Sequence, residues 1–228
     1  TLRPMQTNLR PISYSQELNQ EQLNAVINGD GPCLVLAGAG SGKTRTILYR
    51  VAHLLERGED PSSILLLTFT NKAAREMRER VGSRLGTVAH GLWAGTFHSI
   101  AHRILRGSAA ACGYSSAFTI LDQEDSRSLL KAILKDASFD VTSRRFPSPA
   151  VLQDVISFCK NTVQPMEKVL EERYPHLEDR LTEITEVRRL YEERKRASQA
   201  MDFDDLLGNW LTLIHHPEIG EAMSARFR

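Results

Sequence analysis

The 228-residue sequence predicts an α/β fold: a parallel sheet with an all-α insertion. Three observations predict it. A short apolar run, Cys33-Leu34-Val35-Leu36, leads into the glycine-rich stretch from Ala37 to Thr44, after which Ile47, Leu48, Val51, Leu54 and Leu55 recur at helical spacing. Two further apolar runs, at 64–69 and 93–96, each give way to a helical pattern. From about residue 108 to 200 the periodicity is helical throughout.

Taken in order, residues 1–16, with Pro4 and Pro11 and few apolar side chains, are expected to form a flexible leader. Leu18-Asn19-Gln20-Glu21-Gln22 then starts a short amphipathic helix, with Asn19 as its cap and Gln22 at the third helical position. Gln22 there suits a capping box; its amide, donor and acceptor together, also suits the edge of adenine. The residues alone favour the cap.

Next comes Ala37-Gly38-Ala39-Gly40-Ser41-Gly42-Lys43-Thr44. Strand, glycine loop and helix, in that order, form the context that a phosphate-binding loop requires. Glycines let consecutive backbone N–H groups turn inward around an anion, and the helix N-terminus adds partial positive charge. Lys43 is placed to reach the β- and γ-phosphates, and the Thr44 hydroxyl to ligate Mg²⁺. Ala37 stands where the first glycine of the usual pattern would be; it ends the strand and is tolerated if its φ is negative. Gly-Lys-Thr at a helix start has no structural purpose of its own, so a nucleotide site is expected.

Ile64-Leu65-Leu66-Leu67-Thr68-Phe69 reads as a buried strand ending in Thr70-Asn71-Lys72. A helix follows with Ala73, Ala74, Met77, Val81 and Leu85 inward. Trp93 to Thr96 is a third short strand, leading through Phe97-His98-Ser99 into a helix that ends near Arg106. In parallel sheets of alternating strands and helices, the loops at the carboxyl ends of strands build the site. Phe69-Thr70-Asn71 and Phe97-His98 occupy those ends. An aromatic ring there can stack on an unpaired base or simply pack in the core, and both readings stand. His98 and His102 lie four apart, but no Glu follows His98 and no third ligand is apparent, so zinc is not expected.

In the helical region, Asp122 caps one helix, Ser148-Pro149 starts another, and Leu177, Leu181, Ile184, Val187 and Tyr191 mark a third, whose charged run 192–196 reads as a solvated face. Asp202-Phe203-Asp204-Asp205 suggests Mg²⁺ ligands, yet no apolar strand precedes it. A helix start capped by Asp202 is the better reading.

Composition bounds the function. Charged residues make up 25% of the chain, an ordinary globular balance, and no apolar run reaches membrane-span length. Cys33, Cys112 and Cys159, odd in number and widely spaced, read as buried thiols of a reducing, cytoplasmic compartment rather than a disulfide framework. Net charge is +1, but residues 1–107 carry 13 Lys/Arg against 8 Asp/Glu. That basic surplus lies with the glycine loop, as expected if nucleic acid crosses that part.

Together these stretches resemble one family, the superfamily 1A DNA helicases of the UvrD/Rep/PcrA type. Leu18-Asn19 with Gln22 looks like its Q motif, and Ala37 to Arg45 like motif I. Thr68 to Met77 looks like motif Ia, Gly95 to Ser99 like motif Ib, and Asp202 to Leu207 like the element that precedes motif II. The resemblance runs in order from residue 17 onward. It implies a RecA-like P-loop parallel sheet, incomplete here with later strands missing, in which domain 1A comprises residues 17–107 and 201–228 and helical subdomain 1B residues 108–200. It further implies that Gln22 reads adenine, and that Ala37, Gly38, Ala39, Gly40, Ser41, Gly42, Lys43, Thr44 and Arg45 serve ATP and Mg²⁺, with Lys43 catalytic and Thr44 on the metal. Phe69, Thr70, Asn71, Phe97 and His98 would contact single-stranded DNA next to a duplex junction. The implied activity is ATP-driven 3′-to-5′ translocation and strand separation.

The sequence departs from that family in one respect. The family's Asp-Glu motif II and everything after it are missing, and Thr1 is not an initiating Met, so the expected entity is a piece of a longer helicase that hydrolyses ATP negligibly by itself. Competing readings are a subunit of a RecB/AddA-type helicase–nuclease, a small-molecule kinase with the same loop, and a non-hydrolysing module that binds nucleotide and DNA.

Overall fold

Capping residues and apolar spacing set the element order in the computed structural model, which describes residues 12–86, 90–137 and 146–227. The chain divides into two compact units, one of residues 1–100 with 221–228 and the other of residues 101–220. The sequence reading set its boundaries elsewhere, at 107/108 and 200/201.

The first unit begins with a helical turn, Tyr14–Glu17 (α1), inside the stretch expected to be a leader; most of that stretch, residues 1–11, lies outside the described residues. Tyr14 anchors the turn, donating its hydroxyl to the Glu56 carboxylate at 2.6 Å. Gln20–Ile27 (α2) follows, closed at its start by the expected capping box of Asn19 and Gln22. Lys43–Glu56 (α3) presents Leu48, Val51, Ala52 and Leu55 to the interior. Leu65–Thr68 (β1) ends in Thr70, whose hydroxyl accepts from the Ala73 N–H to cap Asn71–Leu85 (α4). Trp93–Thr96 (β2) pairs with β1 in parallel, in register from Leu65 with Trp93 to Thr68 with Thr96. Phe97–Ser108 (α5) continues directly from β2.

The core of this unit is one layer. Apolar side chains of α3 pack on Ile64 and Leu66 of the β1 region and on Met77, Val81 and Leu85 of α4. A fully buried Leu or Val contributes about 1.5–3 kcal/mol, so this face fixes where α3 and its leading loop sit. Arg50 adds polar ties, donating to the carbonyls of Val26 and Gly29 and to Asp30 at 2.6–3.1 Å. With Arg57 also donating to it, the Asp30 carboxyl is held down at about 2.

The expected strand at 33–36 is not formed. Residues 33–38 carry no regular secondary structure and pair with no strand among the described residues, and Leu34 and Leu36 are 84% and 86% exposed. The reason is physical: a strand is completed only by a neighbour's amides and carbonyls, and no described strand lies alongside this one. Cys33, expected to be buried, is therefore exposed, Cys112 is half-buried, and only Cys159 is enclosed.

The second unit is helical, built on Gln123–Asp136 (α6), Pro149–Thr162 (α7), Met166–Arg173 (α8) and Leu181–Ala197 (α9). Asp122 and Ser148 cap α6 and α7 as their sequence positions predict. It is not wholly α: Thr119–Ile120 (β3) pairs in parallel with Ala200–Met201 (β4). Phe203–His215 (α10) opens with a capping box of Asp202 and Asp205, and Pro217–Arg226 (α11) runs on into the first unit's closing residues. Among the described residues no helix is long and apolar enough to cross a membrane.

The charged run at 192–196 is not simply a solvated face. Lys195 is fully buried on the stripe that carries Ile184, Val187 and Tyr191. Its ammonium donates to Asp202 and Asp205, both at 2.6 Å, and to Glu192 at 3.2 Å, while Lys160 also bonds Asp205. Burial works against the charged ammonium, but the carboxylates of Asp205, Asp202 and Glu192 outweigh it and raise the Lys195 pKa. For Asp202, burial favours the neutral acid, yet Lys195 and Lys160 bring its pKa below the usual value. A carboxyl held down in the folded state stabilises at neutral pH and loses that contribution as acid titrates it. Removing the central cation leaves the buried Asp202 without an ammonium partner and Asp205 with Lys160 alone, so Lys195→Ala is expected to cost about 3–5 kcal/mol in urea unfolding at pH 7. A loss below about 1 kcal/mol would mean the cluster is not a buried ion network.

Candidate nucleotide and nucleic-acid site

The glycine loop is shaped by its backbone. Gly40 and Gly42 adopt φ of +77° and +83°, the left-handed region that L side chains avoid. Ala37 is not among the described residues of positive φ, consistent with its tolerance at that position. Gly42 is the residue before α3, and its carbonyl accepts from the Thr46 N–H at 2.9 Å, which closes the first helical turn. The Ser41 hydroxyl donates to the Gly38 carbonyl at 2.8 Å and folds the loop back on itself. Lys43 crosses the loop, donating to the carbonyls of Ala37 at 3.1 Å and Gly38 at 2.7 Å. Among the described residues this exposed ammonium bonds main-chain carbonyls and no carboxylate, and an anion is a stronger partner for it. Among the described residues no hydrogen bond engages the Thr44 hydroxyl, whereas that of Thr46 bonds back to Gly42.

Gln22 touches the loop. Its side-chain oxygen accepts from the Asn19 N–H at 3.2 Å, and its Nε2 donates to the Ser41 carbonyl at 2.9 Å. The capping box favoured by the sequence is therefore formed, and it leaves Gln22 one N–H and one lone pair to offer a ligand. Between α2 and the loop lies a cavity of about 420 Å³ lined by Gln22, Ala25, Val35, Gly38, Lys43 and Ile47 among others. Polar groups at its rim and an apolar floor are the ordinary chemistry of a small-molecule site. Arg45 is exposed, with its guanidinium carbon 5.6 Å from the Tyr49 ring centre.

The strand ends form a second cluster. Phe69, just past β1, is 91% exposed, and its ring centre lies 5.4 Å from that of Phe97, just past β2, tilted by 41°. The parallel register places the two rings together, because Thr68 pairs with Thr96. The core-packing reading of Phe69 is thus excluded, while Phe97 and His98 are half-buried. The hydroxyl of Thr70 is occupied as the α4 cap, which leaves Asn71, exposed on the first turn, freer to meet a ligand. His102 turns to another partner, accepting from Arg106 Nε at 2.9 Å with its ring edge-on to Phe118. Among the described residues no group of three His, Cys, Asp or Glu side chains is placed to hold a metal ion.

The family profile described as the UvrD/REP helicase N-terminal domain matches residues 18–228. The chain belongs to the UvrD/REP helicase family. The ATP-dependent DNA helicase UvrD1 of Mycobacterium tuberculosis is 41% identical over 214 residues, covering 92% of this chain and 27% of that protein. UvrD1 of Mycobacterium leprae is 40% identical over 215 residues with the same coverage. The ATP-dependent DNA helicase PcrA of Staphylococcus aureus is 38% identical over 213 residues, 92% of this chain and 28% of that one. The chain thus spans little more than a quarter of the length of these UvrD/REP relatives.

Reasoning from the sequence missed the Glu17–Tyr49–Arg84 cluster beside Arg45. Tyr49 sits four residues after Arg45, the spacing that stacks side chains on one helix face, and that was the available signal.

At Gly42 a side chain would be strained by the positive φ, and an added Cβ would lie 2.7 Å from Gln22 Nε2. At Gly38 nothing lies within 4 Å of the added Cβ. Gly42→Ala is therefore expected to lose about 1–2 kcal/mol of stability and Gly38→Ala much less, read by thermal unfolding without ligand. Equal losses would show that the loop does not hold these dihedral angles.

Proposed function

We propose that this chain is the N-terminal part of an ATP-dependent DNA helicase, with a RecA-like domain 1A and an inserted helical subdomain 1B. In this reading the loop from Ala37 to Arg45 and Gln22 hold ATP, and Phe69, Thr70, Asn71, Phe97 and His98 hold single-stranded DNA beside the duplex to be opened. The observation that carries it is Phe69: an aromatic ring 91% exposed at a strand end, beside a second ring, has no packing role and suits a base. The family match and the names of the relatives support the same reading.

The donor chemistry fits a magnesium–nucleotide. Lys43 is the cation for the outer phosphates, Gly40 and Gly42 keep the cradle free of side chains, and the Thr44 hydroxyl is the one protein oxygen here suited to the metal. Bound Mg²⁺ would neutralise phosphate charge during phosphoryl transfer. The chain's own share is to bind and orient: backbone N–H groups at the start of α3 face the anion, and Gln22 borders the cavity for the base. The sequence contains no Asp-Glu pair of the kind that orients the attacking water, so the 228 residues alone bind without appreciable turnover. The direction of travel, 3′ to 5′, and a cytoplasmic place of work follow from the same family reading.

Two measurements test this. A fluorescent ATP analogue should bind the chain in the presence of Mg²⁺, and Lys43→Ala should weaken it at least tenfold; unchanged affinity would refute the loop as the site. A single-stranded oligonucleotide should bind in a salt-dependent manner, with Phe69→Ala costing about 1–3 kcal/mol. Binding indifferent to Phe69 would remove the strand ends from the DNA path.

A further inference from the structure

Arg45 stands one residue after the Lys43-Thr44 pair and, among the described residues, makes no ion pair, in contrast to Arg50, Arg57, Arg75 and Arg84 of its unit. What holds it is Tyr49, one helical turn further along α3 and only 3% exposed. The Tyr49 ring lies against two guanidinium groups, Arg45 at 5.6 Å and Arg84 at 4.9 Å from ring centre to carbon. Its hydroxyl donates to the Glu17 carboxylate, which also accepts from Arg84 Nη2 at 2.6 Å. Tyr14 packs edge-on against the same ring, with centres 6.0 Å apart.

The charges are unevenly matched. Glu17 satisfies Arg84, and its carboxyl is pulled below the usual range first by the Tyr49 hydroxyl and then by Arg84. Burial and then the bond to Glu17 raise the Tyr49 pKa, so the hydroxyl stays protonated and keeps donating. Glu17, Arg84 and Tyr14 therefore fix the ring from three sides, and the ring in turn supports a guanidinium that makes no ion pair among the described residues and acts on Glu17 only at longer range. A planar cation held by a rigid ring, beside the loop that takes the phosphates, is preorganised for an anionic or aromatic part of the bound molecule.

We propose that Tyr49 is a positioning residue for nucleotide binding, acting through Arg45, with Glu17 and Arg84 holding the ring in place. The inference rests on the reading of the glycine loop as the ATP site. A freely rotating arginine loses side-chain freedom on binding, and one already laid on a ring loses less, so the support appears as affinity.

The test is a double-mutant cycle on the fluorescent ATP analogue with Mg²⁺. Arg45→Ala and Tyr49→Leu should each weaken binding about three- to tenfold, and the double variant no more than Arg45→Ala alone. Tyr49→Phe, which keeps the ring but not its bond to Glu17, should bind with an affinity between those of the parent and Tyr49→Leu. Additive losses in the double variant, or Tyr49→Phe as weak as Tyr49→Leu, would overturn the positioning role. Should Tyr49→Leu not fold, the exposed Arg45→Lys decides instead: an ammonium lacks the guanidinium's planar face, so it should bind as weakly as Arg45→Ala, and parent-like binding would overturn the proposal. Binding by the parent that is indifferent to Lys43→Ala would instead overturn the loop assignment and this role with it.

Discussion

The seating of α3 is the constraint on which the first unit depends. Leu48, Val51, Ala52 and Leu55 hold this helix against Ile64, Leu66 and the apolar face of α4, and that contact anchors the end of the preceding loop. A glycine-rich segment has no rigidity of its own, since the residues that allow positive φ also make it costly to order. Here its far end is the first turn of a docked helix, and its near side is bonded to Gln22 on α2. The same contact locates β1 and α4, and so the strand end where Phe69 projects. One apolar face thus sets the place of both the glycine loop and the aromatic pair.

Charge is handled differently in the two units. In the first, Arg50, Arg57 and Arg84 are tied down in pairs with Asp30 or Glu17, while Lys43 and Arg45 make no ion pair among the described residues. Uncompensated cations at one loop are what an anionic ligand requires, and they are the expected reason for the basic surplus of this part of the sequence. In the second unit the reverse holds: Lys195 is enclosed by three carboxylates, which ties α9 to the start of α10. That cluster stabilises a helical body; in the proposed function the loop cations serve binding.

Much of this was legible from residues alone, and the parts that were not share a cause. Caps are local, so Asn19, Asp122, Ser148 and Asp202 were readable, as were the strands at 65–68 and 93–96, whose apolar runs find each other. Cys33 to Leu36 has the composition of a strand but not the partner, and pairing is a relation that one segment cannot declare. The two-residue strands β3 and β4 were invisible for the converse reason: 80 residues separate Thr119 from Ala200, and neither has a pattern of its own. Lys195 was taken for surface because charged neighbours hide its place on the apolar stripe of Ile184, Val187 and Tyr191. Of the candidate site, the residue types of the loop were plain, whereas Phe69 stood open between core and surface until its exposure was seen. That Gln22 serves as cap and loop support together needed coordinates, because its two roles use different ends of one amide.

The central claim is that one folded unit presents two separate surfaces, a phosphate cradle and an aromatic strand end. Backbone amide NMR on the intact chain tests it most directly, by titration first with ADP and Mg²⁺ and then with a short single-stranded oligonucleotide. The account predicts that nucleotide shifts the amides of Gly38 to Arg45 and that the oligonucleotide shifts those of Phe69 to Asn71 with Phe97 and His98. Nucleotide-induced shifts that spare the glycine loop would contradict it.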